Sequence, residues 1–352
     1  MEKEQDIFEK AGIFVPSTQF ADVKDVIPSG ILPLDLCLNT GGVARGRFAA
    51  FVGIPSIGKS TIVAYLARNN ILAGGTSIIF DTEDTYELDR LERLGITKEL
   101  QKKLIVINSW GNDKKSGLLK PLTVETIGTW LTKLLRVAQK SDKLAIFWDT
   151  ISSTPVDKEL EEDFDHEKLM GKHSRELSYF FRLIPSLLLE SQSTLVAVLQ
   201  PKTDPLAYGS TTYIGEKVIK FHASQIIMMQ KYSQDENKIV VKATVTKNKV
   251  ATAYKTAQIS YFIKEGVFDA ISSIPEFVSG NGYSFGKTKV TSRKEFNKIL
   301  IAEKENIEQW VTNKLEKKIP YKLYINEAIN QEITEQDEIE QETFEQETLE
   351  ET

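Results

Sequence analysis

Gly53-Ile-Pro-Ser-Ile-Gly58-Lys59-Ser60 matches the pattern G-x-x-x-x-G-K-[ST] at every fixed position, in a chain of 352 residues. A short apolar run, residues 48–52, precedes it, and a helical-period segment, residues 62–73, follows it. In that setting backbone N–H groups wrap phosphates, the lysine reaches the β- and γ-phosphates and the final hydroxyl ligates Mg²⁺. The residues predicted to hold a nucleoside triphosphate are Gly53, Ile54, Pro55, Ser56, Ile57, Gly58, Lys59, Ser60 and Thr61.

Two other apolar runs end in carboxylates. Residues 144–148 lead into Asp149, which we expect beside the hydroxyl of Ser60 on the metal side of the site. Residues 77–80 lead into Asp81 and then Glu83, which lies just beyond the strand end, within reach of a water that attacks the γ-phosphate. Glu83 is therefore the predicted general base and Asp81 a supporting residue. The competing interpretation of each acid is an ordinary turn or helix cap.

Apolar runs of four to six residues alternate with longer helical-period segments over much of the chain. Buried strands that alternate with helices indicate an α/β fold with a mostly parallel sheet covered on both faces. The predicted strands are residues 48–52, 77–80, 104–107, 144–148, 194–199 and 224–229, and the predicted amphipathic helices include 62–73, 124–138 and 175–189. Two later runs, residues 238–246 and 256–263, predict an antiparallel extension of this sheet.

The sequence divides into four predicted parts. Residues 1–27 are a polar N-terminal segment for subunit docking, with one amphipathic piece at 7–14, and residues 28–274 form the core. A Gly-rich break at 279–282 lies near the start of a small C-terminal α/β domain, residues 275–326, with helical spacing over 296–315. Residues 327–352 form an acidic tail that repeats with a period of five, which fits neither a helix nor a heptad and predicts disorder.

Charge is unevenly distributed between these parts. The formal net charge is −6, but the tail holds ten glutamates, one aspartate and neither lysine nor arginine. The tail thus carries −11 and leaves +5 on residues 1–326. We interpret it either as a solubilising appendage or as an electrostatic competitor for a basic groove.

Cysteine use and hydropathy indicate the compartment. The single cysteine, Cys37, cannot form an internal disulfide, so nothing points to an oxidising environment. No apolar run reaches the roughly 18 residues of a membrane span, and the acidic first residues do not resemble a signal peptide. We therefore expect a cytoplasmic protein, in a bacterium or a phage-infected host, with no membrane partner.

In order and spacing these motifs resemble those of the RecA-family recombinases, bacterial RecA and the phage UvsX-like proteins among them. The family's order is matched by the phosphate loop, the strand before Glu83, the strand before Asp149 and a strand that ends at Gln200. Three downstream stretches add to the resemblance: Met170-Gly171-Lys-His-Ser-Arg175, Gly215-Glu-Lys-Val-Ile-Lys220 and Lys247-Asn248-Lys249. The likeness covers roughly residues 28–310. The stretch before residue 28 and most of residues 203–214 depart from bacterial RecA, which suggests a divergent or phage-type member.

The resemblance implies ATP as the nucleotide and Mg²⁺ as its metal. It also implies that Gln200 senses the γ-phosphate and that Lys247 and Lys249 cross to the ATP of a neighbouring subunit. With Lys59 and Glu83, these form the predicted catalytic residues. A basic hairpin turn is the competing interpretation of the lysine pair.

Two loops are predicted to bind DNA, because they resemble the family's two DNA-binding loops and contain cations and an aromatic ring suited to a nucleic-acid strand. The predicted contacts are Gly171, Lys172 and Arg175 in the first loop and Lys202, Tyr208, Lys217 and Lys220 in the second. The second loop, residues 201–217, lacks evident secondary structure, and an ordinary surface loop is its competing interpretation. His166 and His173 lack the spacing of metal ligands.

Together these features imply a DNA-dependent ATPase that polymerises on single-stranded DNA as a helical filament and exchanges strands with homologous duplex DNA. Single-strand-binding or mediator proteins are the further partners expected. Two alternatives stay open: a RecA-fold ring motor, either a helicase or a clock-type ATPase, and a recombination mediator or paralogue without strand exchange.

Overall fold

The structure is a computed structural model that describes residues 22–112, 119–161, 171–203, 211–269, 278–279, 282–285, 288–290 and 293–324. The helices are α1 (Leu32–Leu38), α2 (Lys59–Leu72), α3 (Leu88–Arg93), α4 (Lys98–Gln101), α5 (Val124–Val137), α6 (Asp157–Glu161), α7 (Lys172–Phe181), α8 (Ile184–Ser191), α9 (Glu216–His222), α10 (Arg293–Ala302) and α11 (Lys304–Lys314). The strands are β1 (Val26–Ile27), β2 (Val43–Ala44), β3 (Phe48–Gly53), β4 (Ser77–Asp81), β5 (Leu104–Ile107), β6 (Ser109–Asn112), β7 (Leu119–Pro121), β8 (Ala145–Asp149), β9 (Thr194–Leu199), β10 (Pro201–Thr203), β11 (Thr211–Tyr213), β12 (Gln225–Gln234), β13 (Lys238–Asn248), β14 (Thr256–Phe262), β15 (Val267–Phe268), β16 (Val278–Ser279), β17 (Gly282–Phe285) and β18 (Thr288–Val290). The predicted N-terminal amphipathic piece, Tyr208 and the acidic tail lie outside the described residues.

A nine-stranded sheet organises the chain, in the order β15-β14-β13-β12-β3-β9-β8-β4-β5. The six strands from β12 to β5 are parallel, and β13, β14 and β15 continue the sheet in antiparallel fashion. All six predicted parallel strands and both strands of the predicted antiparallel extension form. The predicted fold class is therefore confirmed.

Strand β3 is buried along its whole length because helices cover both faces of the sheet. Its alternate residues point to opposite faces. Phe48, Ala50 and Val52 pack in a cluster with α5, α7 and α8, and Ala49 and Phe51 pack with α1 and α2. A parallel sheet covered in this way leaves its strand ends as the places where polar side chains reach the surface.

Two helical predictions are corrected. Residues 175–189 form two helices, α7 and α8, and Pro185 lies in the first turn of the second, where its fixed φ and missing N–H are tolerated. The predicted helical spacing over 296–315 likewise divides between α10 and α11 at Glu303.

The predicted amphipathicity of residues 62–73 is also wrong. Helix α2, which contains residues 62–72, is buried on nearly all sides. Its outer side is covered by the C-terminal part of the chain, where Arg68 donates a hydrogen bond to the Tyr324 carbonyl at 3.3 Å.

Residues 201–217 contain secondary structure that was not expected. β10 and β11 pair antiparallel, with Lys202 opposite Thr212, and α9 begins at Glu216. Threonine and tyrosine in β11 favour an extended backbone, which supports this short hairpin.

The C-terminal helices attach to the core through α1. Leu32 packs in one apolar cluster with Leu300, Ile307 and Val311. Beside them the Tyr321 hydroxyl donates to Asp35 Oδ2 at 2.8 Å, and both side chains are buried. Burial raises the pKa of Asp35 to about 7 although the Ser29 and Gly30 N–H groups also donate to it. The predicted domain boundary at residue 275 stays a prediction.

Tyr321→Phe is expected to destabilise the fold by about 1.5–3 kcal/mol at pH 8, the net value of a hydrogen bond to a charged group. The cost should be smaller at pH 5, because Asp35 is protonated there and accepts this bond less strongly. The sign follows from linkage: a carboxyl with a raised folded pKa holds its proton longer when folded, so the fold loses stability as the pH rises from about 4 to about 7. Tyr321→Phe removes a hydrogen-bond donor to Asp35, so it raises the folded pKa of this carboxyl further and makes the loss of stability with rising pH larger.

Urea unfolding of both proteins at pH 5 and pH 8 measures this effect. The exposed Tyr254 supplies a matched control, Tyr254→Phe, which should change stability at neither pH. Equal costs of Tyr321→Phe at the two pH values would contradict the assignment of the charge to Asp35.

Candidate functional site

The phosphate loop connects β3 to α2 and requires glycine at two positions. Gly58 precedes α2 with φ +85°, and a Cβ there would lie 2.4 Å from Cζ of Phe268. A Cβ on Gly53 would lie 2.6 Å from Cδ1 of Ile57, which is itself buried. Both contacts are far closer than carbon atoms allow. The loop is thus held in shape by packing beneath it. The first N–H groups of a helix lack intrahelical partners, so those of α2 are available to bind a phosphate.

Lys59 is buried in this loop, with 6% of its surface exposed. Its Nζ donates to the Ile54 carbonyl at 2.6 Å. Burial lowers the pKa of Lys59 to about 8, against the opposing charges of Asp149 and Glu83. The Thr61 hydroxyl is turned away and donates to the Gly266 carbonyl at 3.0 Å, so Thr61 offers a phosphate only its backbone N–H. The exposed residues of the loop are Ile54, Pro55 and Ser56.

Asp149 ends β8 beside Ser60 and is almost fully buried. Burial raises its pKa to about 6, and the Tyr86 hydrogen bond and the nearby Ser60 hydroxyl oppose the rise. The Tyr86 hydroxyl donates to Asp149 Oδ2 at 2.6 Å, whereas Oδ1 is buried and has no hydrogen-bond partner among the described residues. A buried carboxylate oxygen without a partner, in a residue beside Ser60, suits a hydrated Mg²⁺, which uses one or two carboxylates together with phosphate oxygens. The residues present therefore fit the implied metal.

Glu83 lies at the centre of a polar cluster. Its Oε1 accepts hydrogen bonds from Gln200 Nε2 at 2.8 Å, from the Ser153 hydroxyl, and from the Thr150 hydroxyl at 3.3 Å. Its side chain is exposed to solvent. Glu83 and Gln200, 117 positions apart, are thus in direct contact. Sequence reasoning predicted both residues but missed Thr150 and Ser153, although this hydroxyl-rich stretch directly follows a strand-end acid.

Asp81 holds the turn that carries Glu83. Its two carboxylate oxygens accept from the backbone N–H groups of Glu83 at 3.3 Å, Thr85 at 2.8 Å and Tyr86 at 3.1 Å. Asp81 also lies opposite Asp149 in the register of β4 and β8. These contacts stabilise the turn, and the supporting role predicted for Asp81 in catalysis stays a prediction.

Sheet register explains why these residues meet. Strands β3, β9, β8 and β4 are consecutive neighbours and parallel, so their carboxyl ends form one edge. The phosphate loop, Gln200, Asp149 and Glu83 follow those four ends in that order. This edge of an open α/β sheet is where ligands bind.

Lys247 and Lys249 lie near the opposite edge of the sheet, away from the carboxyl ends of the parallel strands. In the register of the sheet Lys247 is opposite Ile226, which is beside Ala50 in β3, and Lys249 lies two residues further from the phosphate loop. At about 3.3 Å per residue, β3 places Lys249 roughly 15–20 Å from the loop of its own chain. Both Nζ atoms donate to the Phe221 carbonyl, at 3.2 and 3.1 Å, at the carboxyl end of α9.

This end of α9 is a favourable place for cations, since its last carbonyls are partial negative charges. Lys247 also donates to the Lys220 carbonyl. Burial and the neighbouring Lys249 lower the pKa of Lys247 to about 8. Lys249 in turn lines a groove of about 380 Å³ with Arg47, His222 and Lys317. The two lysines thus reach the same carbonyl, and Lys249 also lines a basic groove on the edge opposite the phosphate loop.

The segments predicted to bind DNA are neighbours. Gly171 precedes α7 with φ +78°, and Lys172 and Arg175 lie in the first turn of that helix. A Cβ on Gly215, before α9, would lie 2.8 Å from Leu177 of α7. Helices α7 and α9 therefore pack together, and each begins at the end of a predicted DNA loop.

The cations of these segments differ in their surroundings. Arg175, Lys202 and Lys217 are exposed, and Lys220 pairs with Glu216 on α9. His173 is packed, with Nε2 2.8 Å from the Thr154 carbonyl, and burial lowers its pKa while Lys202 adds a smaller effect in the same direction. His173 is thus a half-buried histidine that packs against the Thr154 carbonyl. Tyr208 lies outside the described residues, and its predicted role stays a prediction.

A strand, phosphate loop and helix, with acids at the ends of neighbouring parallel strands, define a P-loop protein with the RecA-type fold. A scan against protein-family models gives no match. The solved structure of the RadB recombinase matches 69% of this chain and 98% of its own, with a TM-score of 0.50 and 16% identity, which agrees with this fold.

Curated proteins named RecA align with nearly the whole chain. Protein RecA of Porphyromonas gingivalis is 28% identical over 332 residues, 90% of this chain and 92% of that protein. The proteins of Oleidesulfovibrio alaskensis and Helicobacter hepaticus are 26% and 27% identical over 306 and 314 residues. They cover 82% and 84% of this chain, and the same shares of their own lengths are aligned. The chain is thus similar to these RecA proteins over most of its length.

No helix within the described ranges is both long and apolar enough to cross a bilayer.

Proposed function

We propose that this protein is an ATP-dependent homologous recombinase that polymerises on single-stranded DNA and exchanges it with homologous duplex DNA. One observation carries the proposal: the residues that flank the second predicted DNA loop on both sides contact groups assigned to ATP chemistry. At its start Gln200 donates to Glu83, and after its end α9 holds Lys247 and Lys249 through the Phe221 carbonyl. DNA that reorders this loop acts on both groups at once, which accounts for hydrolysis that depends on DNA.

The chemistry proposed for the site follows from its contacts. Lys59 and the N–H groups at the start of α2 bind the β- and γ-phosphates, and Glu83 takes a proton from the attacking water. Ser60 and Asp149 would hold Mg²⁺, which would neutralise charge on these phosphates. The amide of Gln200 donates a hydrogen bond to Oε1 of Glu83. A γ-phosphate that accepts this hydrogen bond instead leaves the carboxylate of Glu83 free to accept a proton.

The lysine pair is assigned to a neighbouring subunit. Because β3 lies between Lys249 and the phosphate loop of its own chain, this lysine reaches a triphosphate only in another subunit. A site completed by opposite faces of two copies requires head-to-tail contact, which continues into a helical filament unless the rotation closes a ring. Residues 1–27 are the segment that we propose for this docking.

Electron microscopy with ATP and single-stranded DNA tests the proposal against a ring motor. We expect helical filaments of the full chain on DNA, and short or no filaments when ATP is omitted. Closed rings under the same conditions would contradict the recombinase assignment and favour a helicase or clock-type ATPase.

Removal of residues 327–352 is expected to strengthen binding to single-stranded DNA or to lower the Mg²⁺ concentration that binding requires. The reason is the charge of −11 on this tail, which competes with DNA for the basic body. Fluorescence anisotropy with a labelled oligonucleotide, at several salt concentrations, measures both quantities. A control that replaces the tail glutamates with glutamine keeps its length. Unchanged binding in both variants would leave the tail as a solubilising appendage.

A further inference from the structure

We propose that Tyr86 is a positioning residue for the metal site, which holds Asp149 so that one carboxylate oxygen stays free for the metal's water shell. The inference deepens the proposed function and rests on the assignment of Ser60 and Asp149 to Mg²⁺. Tyr86 belongs to none of the motifs in the sequence.

The position of the Tyr86 hydroxyl supports this role. Tyr86 is 8% exposed, and its Oη lies 2.6 Å from Asp149 Oδ2 and 3.3 Å from the Ser60 carbonyl. A phenol has one proton, and the nearer, charged acceptor takes it. The ring thus spans the two residues assigned to the metal, one in α2 and one at the end of β8.

The two carboxylate oxygens of Asp149 have different surroundings. Oδ2 is taken by the phenol, and Oδ1 is buried without a partner among the described residues. A buried carboxylate with one satisfied oxygen cannot rotate without breaking that bond, so Oδ1 keeps a fixed direction. Hydrogen-bond donors that orient a metal-site ligand in this way typically contribute 10- to 100-fold to metal affinity.

The backbone of Tyr86 also links the metal site to the turn that carries Glu83. The Tyr86 N–H donates to Asp81 Oδ2, in the turn where Asp81 also receives the Glu83 N–H. One carboxylate therefore fixes both the predicted general base and the residue that orients Asp149. A displacement of this turn moves the base and the metal site together.

Tyr86→Phe tests the role, because it removes the donor and keeps the ring. The readout is the affinity of a fluorescent ADP analogue, measured by equilibrium titration across a range of Mg²⁺ concentrations and also in EDTA. We expect unchanged affinity in EDTA and a Mg²⁺ midpoint that rises by about 10-fold or more. The matched control is Tyr65→Phe, since the Tyr65 hydroxyl is also buried in the core but bonds to the backbone of Phe268. This control should leave the midpoint unchanged.

A double-mutant cycle with Asp149→Asn separates positioning from a general structural effect. If Tyr86 acts through Asp149, adding Tyr86→Phe to Asp149→Asn raises the Mg²⁺ midpoint no further. Additive shifts, a wild-type midpoint in Tyr86→Phe, or an equal loss of affinity in EDTA would overturn the positioning role. A wild-type chain whose nucleotide binding ignores Mg²⁺ would overturn the proposed function as well.

Discussion

Replacing Glu83 with glutamine is expected to lower the rate of ATP hydrolysis by about 10²- to 10⁴-fold, the range that a positioned general base contributes. Glutamine has the same shape and can still contact Gln200, Thr150 and Ser153, but it cannot accept a proton at neutral pH. Nucleotide binding should therefore survive, because the phosphate loop and Asp149 are untouched. Phosphate release with and without single-stranded DNA measures the loss, and titration of the ADP analogue measures binding.

Glu92→Gln is the matched control, since Glu92 is an exposed glutamate on α3, a few residues beyond the same turn. It should hydrolyse ATP at the wild-type rate. A Glu83→Gln variant that also hydrolyses ATP at the wild-type rate would remove Glu83 from the role of base. A loss of nucleotide binding equal to the loss of rate would assign Glu83 to binding instead.

Lys249→Ala is expected to lose DNA-stimulated hydrolysis by about 10³-fold or more, the effect of a cation that a neighbour donates to a phosphoryl-transfer site. The same variant should bind nucleotide normally as a single chain, because its own phosphate loop lies across the sheet. Phosphate release in the presence of single-stranded DNA measures the first effect, and nucleotide titration without DNA measures the second. Lys102→Ala, which removes an exposed lysine far along the chain from α9, serves as control.

Mixing the Lys249→Ala and Glu83→Gln variants tests more directly whether Lys249 acts on the ATP site of a neighbouring subunit. Lys249→Ala retains Glu83, and Glu83→Gln retains both lysines, so each variant supplies what the other lacks. In an equal mixture about one head-to-tail junction in four pairs an intact Glu83 with an intact Lys249. We expect DNA-stimulated hydrolysis to return to about that fraction of the wild-type rate. A mixture no more active than its separate components would contradict a role across the junction.

The parts of the site that were predictable from sequence are those set by local pattern. The phosphate loop, Asp149 and Glu83 each follow an apolar strand, and parallel strands bring their carboxyl ends to one edge. Gln200 was identified by resemblance, and its contact with Glu83 depends on β9 lying beside β8. Nothing in the sequence around Gln200 predicts that β9 and β8 are neighbours in the sheet.

What sequence reasoning missed depends on longer-range geometry. Tyr86 enters the site because a turn anchored on Asp81 curls back toward α2. The division of residues 175–189 into two helices follows from one proline, which a helical period does not reveal. The placement of Lys249 opposite the phosphate loop depends on the register of β13 with β12, including its bulges, and not on the spacing of the lysines.

Strand exchange is the most direct test of whether this RecA-like chain is a recombinase. The measurement follows the transfer of one strand from a labelled duplex to a homologous single strand, with the full chain, Mg²⁺ and either ATP or no nucleotide. We expect joint molecules and displaced strand with ATP, none without nucleotide, and none with a heterologous duplex. ATP hydrolysis stimulated by DNA but without any pairing would contradict this expectation and assign the protein to the mediators or paralogues.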